Sequence, residues 1–251
     1  MNAAGYTDVG ISRRGSENQD TIFVSLTGIG PLPNLFIVAD GMGGHKAGDV
    51  ASQTAVETMS AYIRDFPAAD FVAPSDYIDL LVNAAKNANE EILKKSRKNY
   101  ALAGMGTTLT ACVILDGTVF IAHVGDSRAY SLSPEGINQL TSDHTYIAEL
   151  VQAGRITPEE ALTHPKRHVI TRVLGDPDHS SLDGLVVPLG SAQSVLLCSD
   201  GLSNMLDNDR IKSIASGSDS VENRVKFLID EANNRGGEDN ISAVLIDVID
   251  K

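Results

Sequence analysis

Residues 107–124 read Thr107-Thr108-Leu109-Thr110-Ala111-Cys112-Val113-Ile114-Leu115, then Asp116-Gly117, then Thr118-Val119-Phe120-Ile121-Ala122-His123-Val124. Two β-rich runs parted by an Asp-Gly pair predict a hairpin, because both turn positions need the left-handed conformation that Asp tolerates and Gly adopts freely. The sheet is therefore expected to be antiparallel. Residues 127–132 and 137–140 continue it as a meander. Upstream, 21–26 and 35–39 read as strands, followed by two helical patterns. One spans 47–62; the other starts at Ser75, an N-cap residue, and lines up either Ile78, Val82, Ala85 and Ala88 or Leu81, Ala85, Ala88 and Ile92.

Downstream, residues 145–162 have polar helical spacing broken at Gly154 and Pro158 and read as an excursion from the sheet core. Strands resume at 185–187 and 194–198. Two helices follow, the second opening at Asp219-Ser220-Val221-Glu222 and burying Val221, Val225, Leu228, Ile229 and Ala232, before a last strand over 241–248. Strands come in runs and helices in pairs instead of alternating. Sheets carrying helices on their outer faces are favoured over a doubly wound parallel sheet.

The chain has 251 residues, 42% of them hydrophobic, with no linker long enough to divide it, so one domain over residues 1–251 is expected. Asp plus Glu number 33 against 20 Lys plus Arg, a net charge of -13 that would repel a nucleic-acid backbone or an anionic membrane. The longest apolar runs, 35–39 and 111–115, fall far short of the roughly 20 residues of a membrane span. The start Met1-Asn2-Ala3-Ala4-Gly5-Tyr6 has neither the basic residues nor the apolar stretch of a secretory signal, so a cytoplasmic location is expected. Cys112 and Cys198 sit inside apolar runs and read as buried free thiols.

Four acids share an unusual setting. Asp40 ends 36–39 and precedes Gly41, Asp126 follows Gly125 after 120–124, Asp200 ends 195–199 before Gly201, and Asp239 follows Gly236-Gly237-Glu238 before 241–246. Any one alone is an ordinary turn residue. Four glycine-flanked acids at strand ends exceed what turn chemistry requires. Acids gathered at one rim repel each other unless a cation neutralises them, and carboxylate and carbonyl oxygens without a thiolate cluster or His pair suit Mg²⁺ or Mn²⁺.

Taken in order, Glu17-Asn18-Gln19-Asp20, Val38-Ala39-Asp40-Gly41-Met42-Gly43-Gly44-His45, Gly104-Met105-Gly106-Thr107-Thr108, Val124-Gly125-Asp126-Ser127-Arg128, Ile170-Thr171-Arg172-Val173-Leu174-Gly175, Cys198-Ser199-Asp200-Gly201-Leu202 and Glu238-Asp239-Asn240-Ile241-Ser242 closely resemble the metal-dependent serine/threonine protein phosphatases, the protein phosphatase 2C-like (PPM) family in its bacterial form. The resemblance covers residues 8–247. It implies an α+β fold, a four-layer α-β-β-α sandwich of two antiparallel sheets flanked by paired helices, with a flap at about 142–178 corresponding to the excursion. It implies two core Mn²⁺ or Mg²⁺ ions and a third. Asp40 would bridge the core pair, the Gly41 carbonyl would bind the second ion, and Asp200 and Asp239 would complete the first. Asp126 would hold the third, weaker ion, and Asp20 would act near the second through water.

The implied activity is hydrolysis of phosphoserine or phosphothreonine on proteins by a water bridging the two ions. The partners are phosphorylated proteins and a bacterial serine/threonine kinase whose action is reversed; a monomer is expected. Arg14 is the candidate for binding phosphate through its guanidinium fork, although the stretch Arg13-Arg14-Gly15-Ser16-Glu17-Asn18-Gln19-Asp20 is one residue longer than the family spacing. Gln19 stands where an acid is often found. Met42 occupies the position of the eukaryotic members' histidine; His45 is the nearest alternative proton donor to the leaving oxygen, and metal-bound water is another. Two other functions compete: a catalytically silent phosphoprotein-binding module, disfavoured by the full set of acids, and a two-metal phosphoesterase acting on a small molecule.

Overall fold

The computed structural model describes residues 1–43, 47–68, 71, 73 and 75–248. The hairpin forms as expected: β5 (Leu109–Leu115) pairs with β6 (Thr118–Val124), and Asp116 and Gly117 both take positive φ, at 47° and 71°. Around it stands a sheet in the order β2 (Asp20–Ser25), β3 (Leu35–Met42), β5, β6, β9 (Asp183–Pro188), with the short β4 (Gly106–Thr107) on the end of β3. The second sheet runs β1 (Asn2–Asp8), β11 (Ile241–Asp247), β10 (Ser194–Cys198), β7 (Arg128–Leu132), β8 (Ile137–Gln139). Every pairing between these strands is antiparallel.

Alternation along β3 assigns the layers. Leu35, Ile37 and Ala39 face α1 (Ala47–Asp65) and α2 (Ser75–Lys98), whereas Phe36 and Val38 face the other sheet, meeting Val195, Leu197, Val244 and Ile246. The outer face of the second sheet packs on α5 (Asp200–Ser203), α6 (Asn208–Ala215) and α7 (Val221–Asn234). The result is the α-β-β-α sandwich. On α2 the fully buried line is Leu81, Ala85, Ala88 and Ile92, while Ile78 and Val82 are half-buried along the same core.

Residues 2–8, to which the sequence assigns no strand, form β1. The run Ala3-Ala4-Gly5 has no β-branched residue, and its order comes from β11, with Gly5 opposite Val244. Gly5 is small for a reason of packing: a Cβ there would stand 2.9 Å from side-chain atoms of Ile22 and Val24 on the other sheet. The segment between β8 and β9 carries α3 (Tyr146–Gln152) and α4 (Pro158–Thr163), the latter opened by a capping box between Thr157 and Glu160. Among the described residues no helix is long and apolar enough to cross a membrane.

Candidate active site

The acids arrive at one end of the sandwich from separate strand ends. Asp20, first residue of β2, lies opposite Asp40 on β3. Asp40 is fixed through its backbone: its N–H donates to Thr108 Oγ1 at 3.0 Å, and its carbonyl accepts from Thr107 Oγ1 and the Thr108 N–H, each at 2.9 Å. Asp126 follows β6, Asp200 opens α5 after β10, and both line a cavity of about 460 Å³ with Asp239, which precedes β11. Across the two sheets Ser199 Oγ donates to Asp20 Oδ2 at 2.8 Å.

These carboxyls interact strongly. Burial pushes Asp20 up to about 7, with Asp200 and Asp239 adding to the rise against hydrogen bonds from Ser242 and Ser199. Burial likewise pushes Asp126 up to about 7, reinforced by Asp200 and Asp143. Asp40 is held well above the usual carboxylate range by burial and by the neighbouring Asp20, Asp200, Asp126 and Asp239. Asp200 is raised by burial and by Asp239, although a hydrogen bond with Asp40 opposes the shift. One site therefore gathers more negative charge than it can ionise on its own.

The donor set fits a hard cation. Asp20 Oδ1, Asp126 Oδ1 and Asp200 Oδ1 are buried oxygens without a hydrogen-bond partner, an arrangement costly unless something positive meets them. Among the described residues no three His, Cys, Asp or Glu groups are drawn up as a finished cage. Part of the charge is met from within: Arg13 places Nη1 2.7 Å from Asp239 Oδ1 and Nη2 3.1 Å from Oδ2. Arg14, the candidate from the sequence, is exposed. His45 lies outside the described residues.

Gly41 earns its place through packing. A Cβ there would run into the Gly48 carbonyl and stand 2.6 Å from the Gln19 carbonyl, so the glycine lets α1 start against the end of β3. Several further residues hold the acids, and the sequence alone assigned them no role. Asn240 accepts from the Gln19 N–H and donates to the Val9 carbonyl, each at 2.9 Å, tying the Asp239 loop to the approach to Asp20. Asn18 accepts from the Asp20 N–H at 3.1 Å. Arg128 forks onto Asp143 from Nε and Nη2, at 2.9 and 2.7 Å, closing the cavity wall below Asp126. His123, inside β6, is fully buried and hydrogen-bonded to Thr110 Oγ1 and the Ser142 carbonyl. Apart from the local turn between Asn18 and Asp20, these contacts join residues 13 or more positions apart, and no local pattern signals them.

A sequence model of protein phosphatase 2C matches residues 10–245. The serine/threonine phosphatase stp of Listeria monocytogenes is 36% identical over 247 residues, covering 98% of this chain and 96% of that protein. Protein phosphatase PhpP of Streptococcus pneumoniae is 35% identical over 246 residues, covering 98% and 97%. Among solved structures, the serine/threonine phosphatase Stp1 from Staphylococcus aureus superposes with a TM-score of 0.90 at 32% identity, over 100% of this chain and 96% of that one. The catalytic domain of the serine/threonine protein phosphatase PstP, in complex with two manganese ions, gives 0.80 at 34% identity over 99% and 98%. Full-length similarity in sequence and in fold thus agrees with a carboxylate-rich end of a two-sheet sandwich, and the chain belongs to the protein phosphatase 2C family of enzymes.

Proposed function

We propose that the chain hydrolyses phosphoserine and phosphothreonine on proteins with the help of divalent cations, Mn²⁺ or Mg²⁺. The observation that carries this is the cluster of Asp20, Asp40, Asp126, Asp200 and Asp239, with three buried carboxylate oxygens unpartnered. Asp40 would bridge two core ions, with the Gly41 carbonyl on one and Asp200 and Asp239 on the other. Asp20, already held by Ser199, would orient water beside the core, and Asp126 would hold a third, weaker ion. When bound, such cations lower the pKa of a shared water and neutralise the phosphoryl oxygens. The chain's own task is to keep these acids in place. Thr107 and Thr108 grip the Asp40 backbone, Ser199 fixes one oxygen of Asp20, and Arg13 offers a guanidinium fork to a phosphate once it leaves Asp239. His45 is the proposed proton donor to the leaving oxygen.

Residues 1–251 would act as one domain and as a monomer, with about 142–178 as a flap beside the cavity; Ile147, Ala161, Arg167 and His168 of that segment line it. The partners would be phosphoproteins made by a serine/threonine kinase. Two buried free thiols, Cys112 and Cys198, fit a reducing cytoplasmic setting. The decisive assay follows phosphate release from a phosphothreonine peptide. Activity should require added Mn²⁺ or Mg²⁺, stop with chelator, and fall on the order of 10²–10³-fold in Asp40→Asn. Full-rate cleavage by metal-stripped protein would refute the proposal, as would stoichiometric peptide binding without phosphate release.

A further inference from the structure

His144 fastens the segment between β8 and β9 to the core. Its backbone N–H donates to the Gly125 carbonyl at 2.8 Å, and its Nδ1 accepts from the Gly125 N–H at 3.1 Å, so both polar groups of Gly125 are held by one residue. Its own carbonyl accepts from the Thr171 N–H at 2.8 Å, where the segment returns. Across the ring, Nε2 lies 3.1 Å from Asp183 Oδ2 at the start of β9. The tautomer follows from these partners. Gly125 N–H needs a lone pair on Nδ1, so the ring proton sits on Nε2 and is donated to Asp183. Arg172 Nη1 stands 3.4 Å from both Asp183 Oδ1 and His144 Nε2; because Nδ1 and Nε2 are already engaged by Gly125 and Asp183 at the shorter distance of 3.1 Å, Arg172 is assigned to the carboxylate.

Gly125 immediately precedes Asp126 and has φ of 106°, a conformation in which an L side chain is strained and a Cβ would run into Thr108. The peptide that presents Asp126 is thus set in an unusual conformation with its N–H and C=O both committed to His144. The same residue joins both ends of the flap, since Thr171 N–H donates to its carbonyl, and the bond from Tyr146 N–H to the Val169 carbonyl continues that pairing.

We infer that His144 is a positioning residue: it locks the Gly125–Asp126 peptide to the base of the flap, so that the hold of Asp126 on its cation depends on where the flap is anchored. This rests on the assignment of Asp126 to the weaker ion. Asn at 144 can place Oδ1 near the position of Nδ1 and keep the Gly125 bond while losing Asp183. Gln reaches towards Asp183 and gives up the Gly125 acceptor.

The test titrates Mn²⁺ into metal-stripped wild type, Asp126→Ala, His144→Asn and His144→Gln by calorimetry, with imidazole ¹⁵N spectra of the wild type. Wild type should show a weaker site beyond the tight ones, absent in Asp126→Ala. His144→Gln should weaken that site by about tenfold or more, as expected for loss of an outer-shell partner, and lower kcat on a phosphopeptide with little change in KM. His144→Asn should restore both. The spectra should show His144 protonated at Nε2 and bare at Nδ1, a readout that needs no variant to fold. Unchanged weak-site binding in His144→Gln, equal losses in both His144 variants, or the opposite tautomer would overturn the inference. A weaker site that survives Asp126→Ala, or is missing from wild type, would instead overturn the Asp126 assignment and the inference with it.

Discussion

Arg13 and Arg14 are adjacent and chemically identical, yet only Arg13 reaches the carboxylate cluster. The reason is local. A short helical turn, Ile11–Arg13, is pinned by the Gly237 carbonyl to Ser12 N–H at 3.0 Å and by Asn233 Oδ1 to Ile11 N–H at 2.8 Å, which aims Arg13 at Asp239. Gly15, with φ of 97°, then takes up the extra length before Asp20. The sequence favours Arg14 as the arginine nearer Asp20, whereas the geometry points to Arg13. Loss of a charge-assisted fork is worth roughly ten- to a hundredfold in turnover. Arg13→Ala should lower kcat/KM on a phosphopeptide by that amount, and Arg14→Ala should stay near wild type; steady-state kinetics on both variants would check it. At this scale Asp40, Asp126, Asp200 and Asp239 were legible because each borders a run of apolar residues with glycine close by, whereas Asp20 was reached only through the resemblance. His144, Ser199 and Asn240 were not, because their partners Gly125, Asp20 and Gln19 lie 19, 179 and 221 positions away.

The elements show the same division between local pattern and remote partner. The apolar face read for the last helix, Val221, Val225, Leu228, Ile229 and Ala232, is the buried face of α7, capped by Ser220. Arg224 shares that face and is 1% exposed. Its guanidinium bonds to the Asp219 and Ala215 carbonyls and to Asp247 on β11, whose other oxygen accepts from Ser194 Oγ at 2.7 Å. Helical periodicity cannot foresee a buried cation, because its burial is made possible by acceptors on other elements. Removing one member of such a pair leaves the other charge buried and unpaired, at a cost of about 3–5 kcal/mol. Denaturant unfolding of Arg224→Met should show a loss of that size, while Mn²⁺-dependent turnover of the remaining folded protein is retained. β1 is the converse case, a strand with weak local preference that exists because β11 offers it an edge.

At the scale of the whole molecule, the acid cluster links stability to pH. Burial and the neighbouring acids push Asp20 and Asp126 up to about 7 in the folded protein, against 3.8 for an ordinary Asp. Between those values the metal-free native state holds protons that the unfolded chain has released, so folding stability declines as pH rises through that range. Metal-stripped protein should therefore melt at a lower temperature at pH about 8 than at pH about 5.5, and added Mn²⁺ should raise the melting temperature most at the higher pH, where cations no longer compete with protons. Calorimetric scans with and without Mn²⁺ would show this; a melting temperature of the stripped protein that climbs with pH across the range would contradict it.

The pairing of β1 with β11 also sets when the enzyme can first work. While the polypeptide is still being translated, β1 has no partner, and the loop bearing Asp239 has not yet left the ribosome. A nascent chain that has not yet exposed residues 239–247 thus lacks both the partner of β1 in its sheet and a member of the acid cluster.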